Sequence, residues 1–270
     1  MDVDERFDWE GRSIAWGRAG SGPPVVFCHG TPFSSRVWSR YAEALSADFT
    51  VHLWDMPGYG ESSKHPDHAV DFGAQAKAFA ALLEHWGLDR PHVVAHDFGG
   101  AVSLRATLAE QAAYASLMLV DVVAIPPSGS PFFQFVKRHP TTLDELPPYI
   151  HEAILRAYVS AASHRGLREH ELAELVAPWR TEAGQPAFYR QVAQYDEKFL
   201  AENERGLGDL SIPVKVLWGR DDAWIPPATG RRLAKLIPGA SYAEVPDAGH
   251  LMQYDAPVAL ATALREWLYF

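Results

Sequence analysis

Short apolar runs alternate with longer stretches whose apolar residues recur every three or four positions, up to about residue 125 and again from about 209. Residues 24–28 (PVVFC), 49–54 (FTVHLW), 92–95 (HVVA) and 117–123 (LMLVDVV) read as buried strands. Between them, 35–46, 71–86 and 99–109 read as helices. The second has Asp71 as its cap and Phe72, Phe79, Leu82 and Leu83 on its apolar side. RFDW and SIAWG, on either side of Glu10-Gly11, predict an N-terminal hairpin. Near the other end, 214–218 and 242–245 read as strands, and 228–236 and 257–267 as helices. Such alternation predicts a mainly parallel, doubly wound sheet.

The middle of the chain breaks the pattern. Strand signals vanish from about 126 to 208, where prolines punctuate helical stretches such as 149–162 and 188–203. This predicts a core domain made of 1–125 and 209–270, with 126–208 inserted as a helical cap over one end of the sheet.

Composition narrows the classes of function. The chain has 270 residues, 47% of them hydrophobic and 21% charged, which fits a folded domain and not a disordered segment. Lys plus Arg number 24 against 34 Asp plus Glu, a formal net charge of -10, with no basic block, so no nucleic-acid partner is expected. Cys28 is the one cysteine, which excludes an intrachain disulfide and a multi-cysteine metal site. Burial in a strand makes it an inert thiol. No apolar run reaches the ~18 residues of a membrane span. The start, MDVDERFDWEGRS, lacks the basic and apolar regions of a secretory signal, so a cytoplasmic location is expected.

The chemistry collects at three strand ends. Ala95-His96-Asp97-Phe98-Gly99-Gly100 follows a strand and opens a helix, with small residues two before and two after Asp97. That spacing suits a tight turn whose central residue holds a strained backbone angle and presents its side chain, and the helix start favours a carboxylate there. Capping of the helix is the bland alternative for Asp97. Cys28-His29-Gly30-Thr31-Pro32 follows an earlier strand, Leu217-Trp218-Gly219-Arg220-Asp221-Asp222 a late one, and Ala248-Gly249-His250 the last. Nucleophile, acid and histidine in that order converge where open α/β sheets bind ligands.

With these motifs the chain resembles the α/β-hydrolase superfamily with a helical cap over essentially its whole length. More narrowly it resembles the aspartate-nucleophile branch: epoxide hydrolases, haloalkane dehalogenases and haloacetate dehalogenases. Asp55-Met-Pro-Gly-Tyr-Gly-Glu-Ser62 matches the family's turn after the fourth strand and is assigned to the scaffold. The resemblance implies the α/β-hydrolase fold, Asp97 as nucleophile, His250 as base and Asp222 as acid. It implies the backbone N–H groups of Thr31 and Phe98 as an oxyanion hole, and neither cofactor nor metal. The family's spacing, with Pro226 four residues beyond the acid, selects Asp222 over Asp221. Asp121 is a second candidate acid, because some dehalogenases carry theirs at that strand end. His96 is expected to brace the elbow.

Asp97 in place of serine changes the reaction. Serine attacking saturated carbon would leave an ether, whereas aspartate leaves an alkyl ester that His250-activated water can cleave. The expected electrophile is therefore a carbon bearing a strained ring oxygen or a halide. Many haloalkane dehalogenases have Trp directly after the nucleophile and Asn in the first loop, where this chain has Phe98 and Thr31. Haloacetate dehalogenases carry Arg one and four residues after the nucleophile, where this chain has Phe98 and Ala101, and Arg105 is expected to face the scaffold.

Epoxide opening needs a cap donor, commonly Tyr, and the insertion offers Tyr149, Tyr158, Tyr189 and Tyr195. In a continuous helix the last two lie some 120° apart. Tyr158, Tyr189, Tyr195 and Trp179 are the expected substrate-contacting residues, with His139, His151 and His164 as further donors. The first loop departs from the epoxide-hydrolase pattern too, having Thr31 where an aromatic usually follows His-Gly. Epoxide hydrolysis on a small, apolar substrate is thus the leading expectation and dehalogenation the alternative. A non-catalytic binding protein, or a specialised ring-opening or lactone-processing enzyme, remains a further one. Trp54, Trp86, Trp218 and Trp267 are assigned to the core, and the cap aromatics Phe132, Phe133, Phe135, Phe188 and Phe199 suggest an apolar pocket.

Overall fold

The computed structural model describes residues 1–139 and 142–269. β1 (Glu5–Trp9) and β2 (Arg12–Ala19) form an antiparallel hairpin whose turn residues, Glu10 and Gly11, have φ of 46° and 74°. β3 (Pro24–Cys28), β4 (Thr50–Trp54), β5 (His92–His96), β6 (Ser116–Val120), β7 (Val214–Gly219) and β8 (Ser241–Val245) complete one sheet. The strand order is β1-β2-β4-β3-β5-β6-β7-β8, parallel from β4 to β8. The chain runs from β3 outward to β4 and then back past β3 to β5. That reversal opens a crevice at the carboxyl ends of β3 and β5, the position where open α/β sheets bind ligands.

α1 (Ser39–Leu45), α2 (Phe72–His85) and α3 (Phe98–Ala109) connect the first strands. Asp71 caps α2, its Oδ1 accepting the Gly73 and Ala74 N–H groups at 2.7 and 3.0 Å. Between β6 and β7 lie α4 (Pro131–Arg138), α5 (Pro148–Ser160), α6 (Glu169–Val176), α7 (Gly184–Ala193) and α8 (Glu197–Gly206). No strand forms among the described residues of this segment. α9 (Pro227–Leu236), α10 (Met252–Asp255) and α11 (Pro257–Leu268) complete the chain. Trp54 stacks on Phe79 at 5.1 Å in the core, and Trp218 is fully buried beside α9. Trp86 and Trp267 are half-buried at its margin.

Three elements differ from the sequence pattern. The helix expected over 35–46 begins as a 3-10 turn, Ser35–Trp38, before α1. The strand expected over 117–123 stops at Val120, because Asp121 takes φ 46° and turns the chain out of the sheet. The single helix expected over 188–203 is two. It breaks at 194–196, where Asp196 accepts the Lys198 N–H at 2.9 Å and caps α8. The 120° relationship between Tyr189 and Tyr195 therefore does not apply: Tyr189 is helical and Tyr195 lies in the turn.

Candidate active site

Asp97 sits between β5 and α3 with φ 47° and ψ -120°, a conformation that costs a non-glycine residue about 1–3 kcal/mol. Close packing holds it there. A Cβ on Gly99 would lie 2.7 Å from the Cys28 carbonyl oxygen, and one on Gly30 would lie 2.3 Å from the Asp97 Cβ. The Val123 N–H closes on the Asp97 carbonyl at 3.0 Å and fixes the elbow from the far side.

The carboxylate of Asp97 is buried and divided between two partners. Oδ1 accepts the Thr31 N–H at 2.6 Å, and Oδ2 lies 3.4 Å from His250 Nε2. Phe98 begins α3, so its N–H has no partner within the helix. His250 Nδ1 donates to Asp222 Oδ2 at 2.9 Å, while Asp222 Oδ1 accepts the Trp224 and Ile225 N–H groups at 2.8 and 2.9 Å. Burial alone would push the His250 imidazole down. The carboxylates of Asp222 and Asp97 outweigh it and hold the ring well above the ordinary histidine range.

The other acidic candidates lie apart from the ring nitrogens. Asp121 is fully buried, its Oδ1 accepting the Gly219 N–H at 2.6 Å and its Oδ2 left without a partner. Burial, reinforced by the Asp222 charge, raises its carboxyl well above the carboxylate range. Asp221 is exposed. With His164 and Asp247, also exposed, it forms a cluster with ligand atoms within 4.8 Å of one another, next to the Arg165 guanidinium 3.6 Å from Asp247. His96 Nε2 donates to the His250 carbonyl at 2.9 Å, and burial pushes its imidazole down to about 3, so it is a neutral brace. His29 is neutral too: its Nε2 accepts the Met56 N–H at 2.9 Å, which leaves Nδ1 to donate to the Gly30 carbonyl. Burial raises the Cys28 thiol to about 12.

A cavity of about 300 Å³ opens over Asp97. Phe98, Val122, Ile125, Phe133, Tyr158 and Trp224 make much of its apolar wall, and among the described residues no Lys or Arg lines it. Tyr195 lines it as well, its ring stacked on Phe98 at 5.8 Å and its hydroxyl buried with no partner. Burial and the nearby Asp97 charge raise the Tyr158 and Tyr195 hydroxyls above the usual phenol range, so both remain protonated donors.

Tyr189 and Trp179 do not line the cavity. The Tyr189 hydroxyl meets His151 Nδ1 at 2.9 Å inside the helical segment, and Trp179 Nε1 donates to the Pro32 carbonyl at 2.6 Å. Both brace the structure around the site. His139 and His164 are exposed, and Tyr149 is 72% exposed. Arg105 pairs with Glu202 at 2.7 Å, away from the cavity.

Two residues escaped the sequence reading. Trp224 lines the cavity, its ring 4.9 Å from that of His250 and stacked on Tyr158 at 4.5 Å. Its signal was position, two residues beyond Asp222. Gln191 on α7 accepts the Thr31 hydroxyl at 3.2 Å, and only the folded helical segment reveals that contact.

A family model described as alpha/beta hydrolase fold matches residues 23–257. The chain is 26% identical over 273 residues to haloalkane dehalogenase 2 of Mycobacterium tuberculosis strain H37Rv, covering 96% of this chain and 93% of that one. It is 28% identical to a fluoroacetate dehalogenase of Burkholderia sp, covering 92% and 88%. It is 25% identical to bifunctional epoxide hydrolase 2 of Sus scrofa, covering 92% of this chain and 52% of that protein. Among solved structures, an alpha/beta hydrolase fold protein from Burkholderia ambifaria superposes with TM-score 0.95 at 45% identity, over 98% of each chain. This chain belongs to the α/β-hydrolase fold family.

Proposed function

We propose that this hydrolase opens neutral epoxides through a covalent ester on Asp97. The observation that carries the reading is the division of the Asp97 carboxylate. One oxygen is held by the Thr31 N–H at 2.6 Å, and the other stands 3.4 Å from His250 beneath a cavity with two protonated tyrosines on its wall.

Asp97 Oδ2 attacks the less hindered ring carbon, and the carbon–oxygen bond breaks as the ring oxygen takes a proton from Tyr158 or Tyr195. Alkylation makes Asp97 neutral and removes one of the two charges that hold the His250 proton, so the imidazolium gives that proton up, through solvent, to the tyrosinate and becomes a base at this point in the cycle. It takes a proton from water, and the hydroxide adds to the ester carbonyl carbon. The Thr31 and Phe98 N–H groups stabilise the tetrahedral oxyanion. Collapse expels the diol alkoxide, which takes its proton from His250. The Asp97 carboxyl proton then returns to the His250 imidazole, and the cycle closes.

The absence of Lys and Arg from the cavity wall disfavours carboxylate substrates such as haloacetates, because Asp97 would repel them with no counter-charge. Neutral alkyl halides are the second reading. Trp224 favours it, since it brings an indole to the cavity where the loop and elbow supply only Thr31 and Phe98. Single turnover in ¹⁸O-labelled water separates this chemistry from direct water attack. The first product formed carries unlabelled oxygen from Asp97, and label enters the Asp97 carboxylate. Labelled product in the first turnover would contradict it.

A further inference from the structure

Both neighbours of His250 in the chain are tied to a single loop of the helical segment, and Asp255 makes most of the ties. Its buried carboxylate accepts four hydrogen bonds. Oδ2 takes the Gly249 N–H at 2.8 Å and the His164 N–H at 2.8 Å, and Oδ1 takes the Ser163 hydroxyl at 2.5 Å and the Arg165 N–H at 3.2 Å. On the other side of His250, the Leu251 N–H donates to the Ala162 carbonyl at 3.0 Å. A Cβ on Gly249 would lie 2.7 Å from the His164 nitrogen, so the loop packs directly on the histidine backbone.

The same loop follows α5, which carries Tyr158 four residues before Ala162, about one helical turn. Tyr158 stacks on Trp224, which lies over the His250 ring. The donor facing the leaving oxygen and the base facing the water are thus held by one piece of chain.

We propose that Asp255 is a positioning residue for His250, through which the 162–165 loop controls the hydrolytic half of the cycle and leaves alkylation largely untouched. This rests on the ester mechanism above. Alkylation needs Asp97 and a tyrosine hydroxyl. Hydrolysis in addition needs the imidazole aimed at a water and at the ester carbonyl, and a displacement of about 1 Å there can cost up to ~100-fold.

The test compares Asp255→Asn and the milder Ser163→Ala with wild type by rapid quench, following the alkylation and hydrolysis rate constants separately on one neutral terminal epoxide. In Asp255→Asn, an amide nitrogen meets donors where an acceptor stood, and hydrolysis falls about tenfold or more while alkylation changes less than about twofold. The ester accumulates, and KM falls with kcat. Ser163→Ala shows the same selectivity, reduced to a few-fold. Equal loss in both steps in folded Ser163→Ala, or no change in either variant, would overturn the proposal.

The His250 Nδ1 proton, read by NMR in the free protein, reports the clasp even if no ester forms and the epoxide reading itself fails. Its resonance moves or broadens in both variants if Asp255 positions the ring. A resonance unchanged from wild type in both rejects the clasp independently of the chemistry.

Discussion

His250 Nε2 stands 3.4 Å from Asp97 Oδ2, while its Nδ1 donates to Asp222 at 2.9 Å, so the ring is held between two carboxylates. Both charges favour the imidazolium and overcome the opposing effect of burial. Replacing Asp97 by asparagine, a neutral mimic of the ester, removes one of them, and the His250 pKa must fall. An NMR titration of the imidazole in wild type and Asp97→Asn checks the sign. The acid limb of kcat, which reports the alkylated enzyme, should likewise lie below the titration of the free enzyme. A His250 pKa that is unchanged or raised in Asp97→Asn contradicts the coupling.

The three acidic candidates should respond very differently to the same change. Asp222→Asn removes the charge that fixes the imidazole tautomer and supports its proton, and ester hydrolysis should drop by ~10²–10⁴. Asp121 is buried off the ring and spends one oxygen on the Gly219 N–H, so Asp121→Asn should keep activity within about threefold. Asp221 is exposed, and Asp221→Asn should stay within about twofold. Steady-state kinetics on all three variants tests the order. Equal losses, or damage confined to Asp121→Asn, would reassign the acid.

Tyrosines on the cavity wall should separate from those behind it. Tyr158→Phe and Tyr195→Phe remove donors from the leaving oxygen, and each should slow alkylation by ~10–100-fold. Tyr189→Phe leaves His151 short of a partner and should cost about 1 kcal/mol of stability with kcat/KM nearly unchanged. Thermal melts beside single-turnover alkylation rates check both halves. Loss of alkylation in Tyr189→Phe would mean that the cavity closes differently around substrate.

Gly30 faces Asp97 so closely that a methyl group there has no room, its Cβ falling 2.3 Å from the Asp97 Cβ. Gly30→Ala should therefore displace Asp97 or the Thr31 N–H and lower kcat/KM by at least ~100-fold, about the effect of losing one oxyanion donor. Near wild-type activity in this variant would show that the loop does not hold the nucleophile.

The sheet was legible because its strands are short runs buried on both faces and set between helical patterns, as at 24–28 and 92–96. Asp97, Asp222 and His250 were legible as candidates because each lies within five residues of a strand's carboxyl end, and the parallel sheet brings those strand ends together. The helical segment was less so. The break at 194–196 hinged on Asp196 as a cap inside a run that otherwise reads as helix, and missing it misplaced Tyr195 relative to Tyr189. Which tyrosine reaches the cavity depends on how five helices pack, a tertiary matter that periodicity does not encode. Trp179 illustrates the limit: its ring is aromatic and in the expected segment, yet its N–H is committed to the Pro32 carbonyl.

The covalent ester on Asp97 can be trapped in the His250→Gln variant. Hydrolysis is blocked in this variant while alkylation remains possible, so incubation with a neutral terminal epoxide, and separately with a neutral alkyl bromide, should trap the adduct for intact-protein mass spectrometry. The expected result is a mass increase equal to one whole epoxide, localised by peptide mapping to Asp97. A gain equal to the bromide less hydrogen bromide, with none from the epoxide, would make the enzyme a dehalogenase. No gain from either, under conditions where wild type turns the epoxide over, would contradict the ester mechanism itself.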